Sequence, residues 1–309
     1  MEYAIQSFNL DKVYRRKKVL ENVSINVPRG SIYGLVGRNG AGKTTLMRVL
    51  CGLAEVSEGN YKLFNSEDLN EGYKRIGILI ENPGIFNYMT ALEDMEYFRK
   101  LYGVLEQEVS KEILEAVGLE WKDKKKVKNF SLGMKQRLGI AISLIGNPDL
   151  LILDEPINGL DPQGVFEIRK LLIKLNEERG ITILISSHIL SELFKMATNY
   201  GIIEKGKLIR EVTKEQLEED CRRCIKIKID KEDVIRVVEI LEIKLNIQEY
   251  DVLEDGLLRV FSDENIIEIN RVLEKENIKI YSLSYSGEEI EEYFIRIIEG
   301  EKDEKYYRC

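Results

Sequence analysis

The stretch Gly37 to Thr44 reads G-R-N-G-A-G-K-T and is followed by a second hydroxyl at Thr45. Gly37, Gly42, Lys43 and Thr44 hold the fixed places of G-x-x-x-x-G-K-[ST], a spacing that turns successive backbone N–H groups onto one anion. Gly37, Gly40 and Gly42 let the chain bend without a Cβ in the way, and Arg38, Asn39 and Ala41 complete the loop. In such a loop the Lys43 ammonium reaches the β- and γ-phosphates of a nucleotide and the Thr44 hydroxyl ligates Mg2+. The bland alternative is a glycine-rich turn before a helix, so a second, independent signal is needed.

That signal comes later. Asp149 to Pro156 reads D-L-L-I-L-D-E-P, an apolar strand that delivers Asp154 and Glu155 at its end. Side chains alternate along a strand, so the two carboxylates diverge: one can hold Mg2+ through its water shell while the other points at the water that attacks the γ-phosphate. His188, the single histidine of the chain, follows the strand Ile181 to Ser186. A lone histidine is more often a packing or surface residue, but this one stands at a strand's carboxyl end, one strand over from the carboxylates. Glu81 ends another buried strand, Arg75 to Glu81, on the side where ligands bind in open α/β sheets; a plain strand-ending charge is the alternative. Tyr14, in the loop between the first two strands, can stack on a purine or cover the sheet edge.

The elements that must position these groups are legible from periodicity. From Ile5 to about Leu35 apolar and polar residues alternate as in antiparallel strands, with a turn at Pro28 to Ser31. I-Y-G-L-V before the phosphate loop is a buried strand, and T-L-M-R-V-L after it has helical spacing. Gly59 to Phe64 reads as a strand, and Asn82-Pro83-Gly84 as a breaker. Thr90 and Glu93 form a capping box for a helix whose stripe is Leu92, Met95, Phe98 and Tyr102. A second helix runs from about Ser110 to Val117. Ser131 caps a long helix expected to reach Pro148, with Gly133 in its first turn. Asp161 and Pro162 start another, with Val165, Ile168, Leu172 and Leu175 facing the core.

Composition bounds the function classes. The 309 residues allow more than one domain, and 32% charged with 44% apolar residues is an ordinary globular balance. A net charge of -8 argues against general nucleic-acid binding. The run Lys122, Lys124, Lys125, Lys126 and Lys128 reads as a solvated loop or an acidic partner's contact. Cys51, Cys221, Cys224 and Cys309 form no disulfide framework, and Cys221-Arg-Arg-Cys224 lacks the second pair a zinc site needs. No apolar run approaches the roughly 20 residues of a membrane span, and no signal peptide is visible, so a cytoplasmic protein is expected.

In order, the glycine loop, Ser131-Leu132-Gly133, Asp154-Glu155, Leu160-Asp161 and Ser187-His188 resemble an ATP-binding cassette (ABC) ATPase over about residues 1 to 215. The forms S-L-G-M-K-Q-R and I-L-I-E-N-P-G are similar to the ATPase subunits of bacitracin-type and lantibiotic-type exporters. The resemblance implies an α/β P-loop NTPase: a mixed sheet core, an antiparallel β subdomain and a helical subdomain inserted at about 85–147. It implies a head-to-tail homodimer with two ATPs at the interface. Lys43, Thr44 and Asp154 act from one copy, and Ser131 and Gly133 of the other donate to the γ-phosphate. Glu155 is then the general base, His188 holds the γ-phosphate and the water, Asp161 packs across the interface, and Tyr14 stacks on adenine. It implies ATP and Mg2+ as cofactors, with Thr44, Asp154 and Glu81 at the metal. A separate membrane permease is the implied partner, which places the chain at the inner face of the membrane, with an antibiotic peptide or similar compound as the exported cargo. The sequence departs from the family's usual L-S-G-G-Q at Leu132 and Met134, and Glu81 replaces the usual glutamine. A soluble ATP-gated switch on ribosome or DNA is the alternative, and nucleotide binding without turnover a weaker one.

Residues 216–309 read as a separate accessory domain after an acidic linker helix from Thr213 to Asp220. Strands are expected at Cys224 to Ile229, twice between Gln248 and Phe261 and at Ile278 to Leu283, and helices at Val234 to Leu245, Ile266 to Lys275 and Glu288 to Ile298. The order β-α-β-β-α-β suggests a small α+β ferredoxin-like sandwich.

Overall fold

The computed structural model describes residues 2–81, 83–262, 265–287 and 290–299. Asn82 of the breaker, Glu288 at the expected start of the last helix and the tail Glu301 to Cys309, expected to be frayed, lie outside the described residues. The chain divides into two compact units, Met1–Lys214 and Glu215–Cys309.

In the first unit β1 (Tyr3–Tyr14), β2 (Lys17–Val23) and β3 (Asn26–Pro28) make an antiparallel sheet in the order β2-β1-β3. After β4 (Ile32–Val36) and α1 (Lys43–Leu50), the strand β5 (Glu58–Leu63) returns to pair with β1. Tyr14 is the last residue of β1, opposite Lys17, rather than part of the connecting loop, because the reversal needs only Arg15 and Arg16, both at positive φ.

The second sheet begins with β4 and gathers β6 (Ile76–Leu79), β7 (Leu150–Asp154), β8 (Thr182–Ser187), β9 (Asn199–Glu204) and β10 (Lys207–Thr213) in the order β10-β9-β4-β8-β7-β6. All its pairings are parallel except β9 with β10. Every residue of β4, β7 and β8 is buried. That explains their unbroken apolar runs, since a parallel strand is covered on both faces. Leu46, Met47 and Leu50 of α1 share one core with Leu20 and Val23 of β2 and Ile152 of β7, so the helix after the phosphate loop is clamped between the two sheets. Burying each such side chain contributes about 1.5–3 kcal/mol.

The remaining helices of this unit are α2 (Leu69–Tyr73), α3 (Ala91–Leu101), α4 (Glu108–Ala116), α5 (Leu132–Ser143), α6 (Pro162–Arg179) and α7 (Leu190–Phe194). The Thr90–Glu93 capping box forms with both reciprocal hydrogen bonds. The expected stripe of α3 is shifted: Ala91, Asp94, Met95 and Arg99 are the buried residues, while Tyr102 is exposed. Apolar spacing gives no weight to charged residues, whereas Asp94 and Arg99 turn inward because backbone groups meet them there. Phe86 N–H donates to Asp94 at 3.1 Å, and Arg99 Nη1 donates to Leu105 O at 3.2 Å. Likewise α5 stops at Ser143, short of Pro148. Its end tightens into i→i+3 bonds from Leu144 and Ile145, and Asn147 takes φ 47, which ends a helix. In α6 the cap Asp161, Pro162 at the first position and the four expected core residues all stand as read.

The second unit carries α8 (Lys214–Cys221), β11 (Cys224–Ile229), α9 (Val234–Lys244), β12 (Tyr250–Val252), β13 (Leu257–Val260), α10 (Ile266–Lys275), β14 (Ile280–Ser286) and α11 (Ile290–Glu299). Its strands form one antiparallel sheet in the order β12-β13-β11-β14. Alternate residues of β11, Ile225, Ile227 and Ile229, pack with Val237 and Leu241 of α9 and Ile269 and Leu273 of α10.

Candidate active site

The topology brings the sequence's chemical residues to one edge of the six-stranded sheet. β8 pairs with β4 on one side and β7 on the other, so the carboxyl ends of the three strands that precede the phosphate loop, Asp154-Glu155 and His188 lie side by side. The loop after β4 is a close fit. A Cβ on Gly37 would lie 2.3 Å from the Ile203 carbonyl oxygen, and Gly42 takes φ 111 as it caps α1. Neither position accepts a side chain without moving backbone. Gly37, Ala41, Gly42 and Lys43 are buried, Thr44 and Thr45 half-buried, and Arg38, Asn39 and Gly40 exposed.

Thr44 Oγ1 donates to Asp154 Oδ2 at 2.7 Å, which ties the first turn of α1 to the end of β7. Lys43 Nζ donates to Gly37 O at 2.7 Å and stands 3.3 Å from Glu155 Oε1. The other oxygen of that carboxylate, Oε2, meets His188 Nδ1 at 2.7 Å. Asp154 and Glu155 therefore diverge as their alternation requires: one turns to α1, the other sits between an ammonium and an imidazole. Glu155 takes φ 51, the left-handed conformation that non-glycine residues seldom adopt and that gathers at functional sites.

Ser186 is a site residue that sequence reasoning passed over. It is fully buried, donates to Asp154 Oδ1 at 2.6 Å and accepts from Glu155 N–H at 2.9 Å, so one hydroxyl orients both acidic residues. Its signal was present in T-I-L-I-S-S-H, where two hydroxyls end an otherwise apolar strand.

Other expected residues lie elsewhere. Ser131 caps α5 through Met134 N–H at 3.2 Å, and Gly133 faces the turn at Leu160. Asp161 accepts from Gly164 N–H at 2.9 Å. Tyr14 is 42% exposed, with Lys12 Nζ 4.7 Å from its ring centre. Glu81, expected at the metal, pairs with Arg48 of α1, Nη2 to Oε1 at 2.5 Å. Within the lysine run, Lys126 pairs with Glu93, Lys122 lies over Trp121 and Lys128 over Tyr88, an arrangement internal to the helical region. Cys51 and Cys224 are free thiols, and burial pushes Cys51 well above the usual thiol range.

Beneath the segment that follows Glu81 lies Asp94, fully buried, its carboxyl raised to about 6 by loss of water and held back only in part by the Phe86 N–H. Oxygen donors at Thr44 and Asp154 suit a hard divalent cation that keeps several waters. Among the described residues no group of three or more His, Cys, Asp or Glu side chains could hold a metal ion by itself.

The family model described as ABC transporter matches residues 20–158. The bacitracin transport ATP-binding protein BcrA of Bacillus licheniformis is 40% identical over 304 residues, covering 97% of this chain and 99% of that protein. The chain belongs to the ABC transporter ATP-binding proteins. It is an ABC ATPase. The lantibiotic transport ATP-binding protein SrtF of Streptococcus pyogenes is 46% identical over 203 residues, 66% of this chain and 88% of that one. Among solved structures, a dimeric ATP-binding cassette in a post-hydrolysis state with ADP and Pi aligns with a TM-score of 0.60 at 26% identity, covering 68% of this chain and 98% of that chain. The structure of cbiO1 from Clostridium perfringens, part of an ABC transporter complex, aligns with a TM-score of 0.63 at 27% identity, over 79% and 98%.

Proposed function

We propose that this ABC ATPase binds MgATP on the loop Gly37 to Thr45 and hydrolyses it with Glu155 as general base, driving a separate membrane permease that exports an antibiotic peptide or a similar compound. The observation that carries the residue roles is the placement of Glu155, one oxygen 3.3 Å from Lys43 Nζ and the other 2.7 Å from His188 Nδ1. Lys43 leaves its contacts with the Gly37 carbonyl and Glu155 to hold the β- and γ-phosphates. Glu155, so released on one side, accepts the proton of the attacking water, and His188, against its other oxygen, holds the γ-phosphate and that water. Thr44 and Asp154 would hold the Mg2+, which when bound would neutralise charge on the phosphates. Arg38, Asn39, Gly40 and Ala41 contribute backbone N–H groups, and Tyr14 stacks on the adenine.

Ser131 and Gly133, at the N-terminus of α5, act on the γ-phosphate of a second copy in a head-to-tail homodimer, with Asp161 at the interface. This is supported by the dimeric state of the cassette solved with ADP and Pi. The names of the bacitracin and lantibiotic relatives support the cargo class. The chain works at the inner membrane face through its permease; among the described residues no helix is long and apolar enough to cross a membrane. The domains are 1–215, with a helical subdomain at about 85–147, and an accessory 216–309. The sheet order and β-α-β-β-α-β sequence of the accessory unit support a ferredoxin-like sandwich.

The test is Glu155→Gln. The variant is expected to bind ATP and form a nucleotide-dependent dimer on size exclusion, with phosphate release reduced at least about a hundredfold. Turnover at the wild-type rate would remove Glu155 from the role of base.

A further inference from the structure

Arg48 and Glu81 make a second bridge parallel to the one between Thr44 and Asp154. Arg48 follows Thr44 by one helical turn on α1, so both side chains leave the same face of the helix. Leu79 of β6 pairs with Leu153 of β7, which puts the end of β6 beside the end of β7, a strand spacing of about 4.8 Å away. Thr44 therefore reaches Asp154 at 2.7 Å while Arg48, one turn on, reaches Glu81 at 2.5 Å one strand over. Glu81 takes φ 62, a left-handed conformation strained for a glutamate, as does Glu155 at φ 51. The Arg48 and Glu81 side chains are 39% and 59% exposed, and an ion pair so exposed adds little to fold stability. Its value lies in what stands beside it.

We infer that Arg48 is a positioning residue for the nucleotide: its guanidinium cancels and turns aside the Glu81 carboxylate, so that a polyphosphate can settle on the neighbouring loop without meeting a bare negative charge. The inference rests on the proposed phosphate site and adds to it a residue outside every motif of the sequence. Arg48 acts through Glu81 and does not touch phosphate. A carboxylate within about 10 Å of a bound polyphosphate is felt at ordinary ionic strength, and removing its partner exposes the nucleotide to it.

The experiment is equilibrium binding of ATP to the full chain in EDTA, where neither hydrolysis nor metal enters, for wild type, Arg48→Ala, Glu81→Gln and the double variant. Thermal melts of each protein confirm that it is folded. Arg48→Ala is expected to weaken binding about two- to fivefold, the range for one exposed like charge. Glu81→Gln should bind at least as tightly as wild type, and the double variant within about twofold of Glu81→Gln. The Arg48→Ala loss should shrink in 0.5 M salt, about five times the ionic strength at which screening reaches 10 Å. A double variant that keeps the full Arg48→Ala loss would show Arg48 acting on phosphate directly or through the fold and would overturn the inference, as would an Arg48→Ala protein that binds like wild type. Wild type that fails to bind ATP would instead refute the phosphate site itself.

Discussion

Ser186→Ala removes one buried oxygen that serves two masters. Asp154 loses the hydroxyl that donates at 2.6 Å, and the Glu155 N–H, which donates to Ser186 Oγ at 2.9 Å, loses its acceptor in a place without solvent. A hydrogen bond to a charged group contributes about 1.5–3 kcal/mol, and an orphaned buried N–H costs about 1–3 kcal/mol. Since a single deletion does both, and such terms overlap, the expected loss is about 2–4 kcal/mol. For a unit of this size that lowers the melting temperature by roughly 5–12 °C. The functional effect should be larger than the stability effect suggests, because Asp154 and Glu155 are both freed to swing: about a 10- to 100-fold fall in phosphate release at saturating MgATP. The assay is steady-state hydrolysis at a temperature well below the lowered melt, with the fraction folded checked by circular dichroism. A variant that melts low but turns over within twofold of wild type would refute the claim that this hydroxyl positions the acidic pair.

Asp94 predicts a pH dependence. Its folded-state carboxyl is raised from 3.8 to about 6 by burial, so the group favours folding while protonated, and that contribution is lost as pH climbs from about 4 through about 6. Asp94→Asn should flatten this part of the stability curve and melt higher than wild type at pH 7, by about 2–3 kcal/mol in unfolding free energy; a curve of unchanged slope would show the carboxyl to be relieved in some other way. Gly37→Ala places a Cβ 2.3 Å from the Ile203 carbonyl and should abolish ATP binding, while Gly40→Ala, with nothing within 4 Å, should fold at a cost of about 1–2 kcal/mol for its φ of +81. Fluorescent-nucleotide binding on the two purified proteins separates them, and equal affinities would mean that the loop does not need the Gly37 approach.

By itself the sequence determined everything that depends on local periodicity and short-range chemistry. The strands β4, β7 and β8 could be read because a strand covered on both faces must be apolar throughout, and the caps Thr90, Ser131 and Asp161 because a short polar side chain before a helical stripe has one use. The phosphate loop, Asp154, Glu155 and His188 were legible for the same reason: each stands at the end of such an element. What the sequence left open was whatever depends on which strand lies beside which. Ser186 looked like one of two ordinary hydroxyls until the pairing of β7 with β8 set it opposite Asp154. The inward turn of Asp94 and Arg99 on α3 was hidden because backbone groups outside that helix, at Phe86 and Leu105, receive them. Arg48 carried no signal, since only the seating of α1 against the sheet brings its guanidinium to Glu81. Apolar spacing is a property of one segment, whereas the partner of a charge is a property of two, and the second is fixed only when the strands are laid side by side.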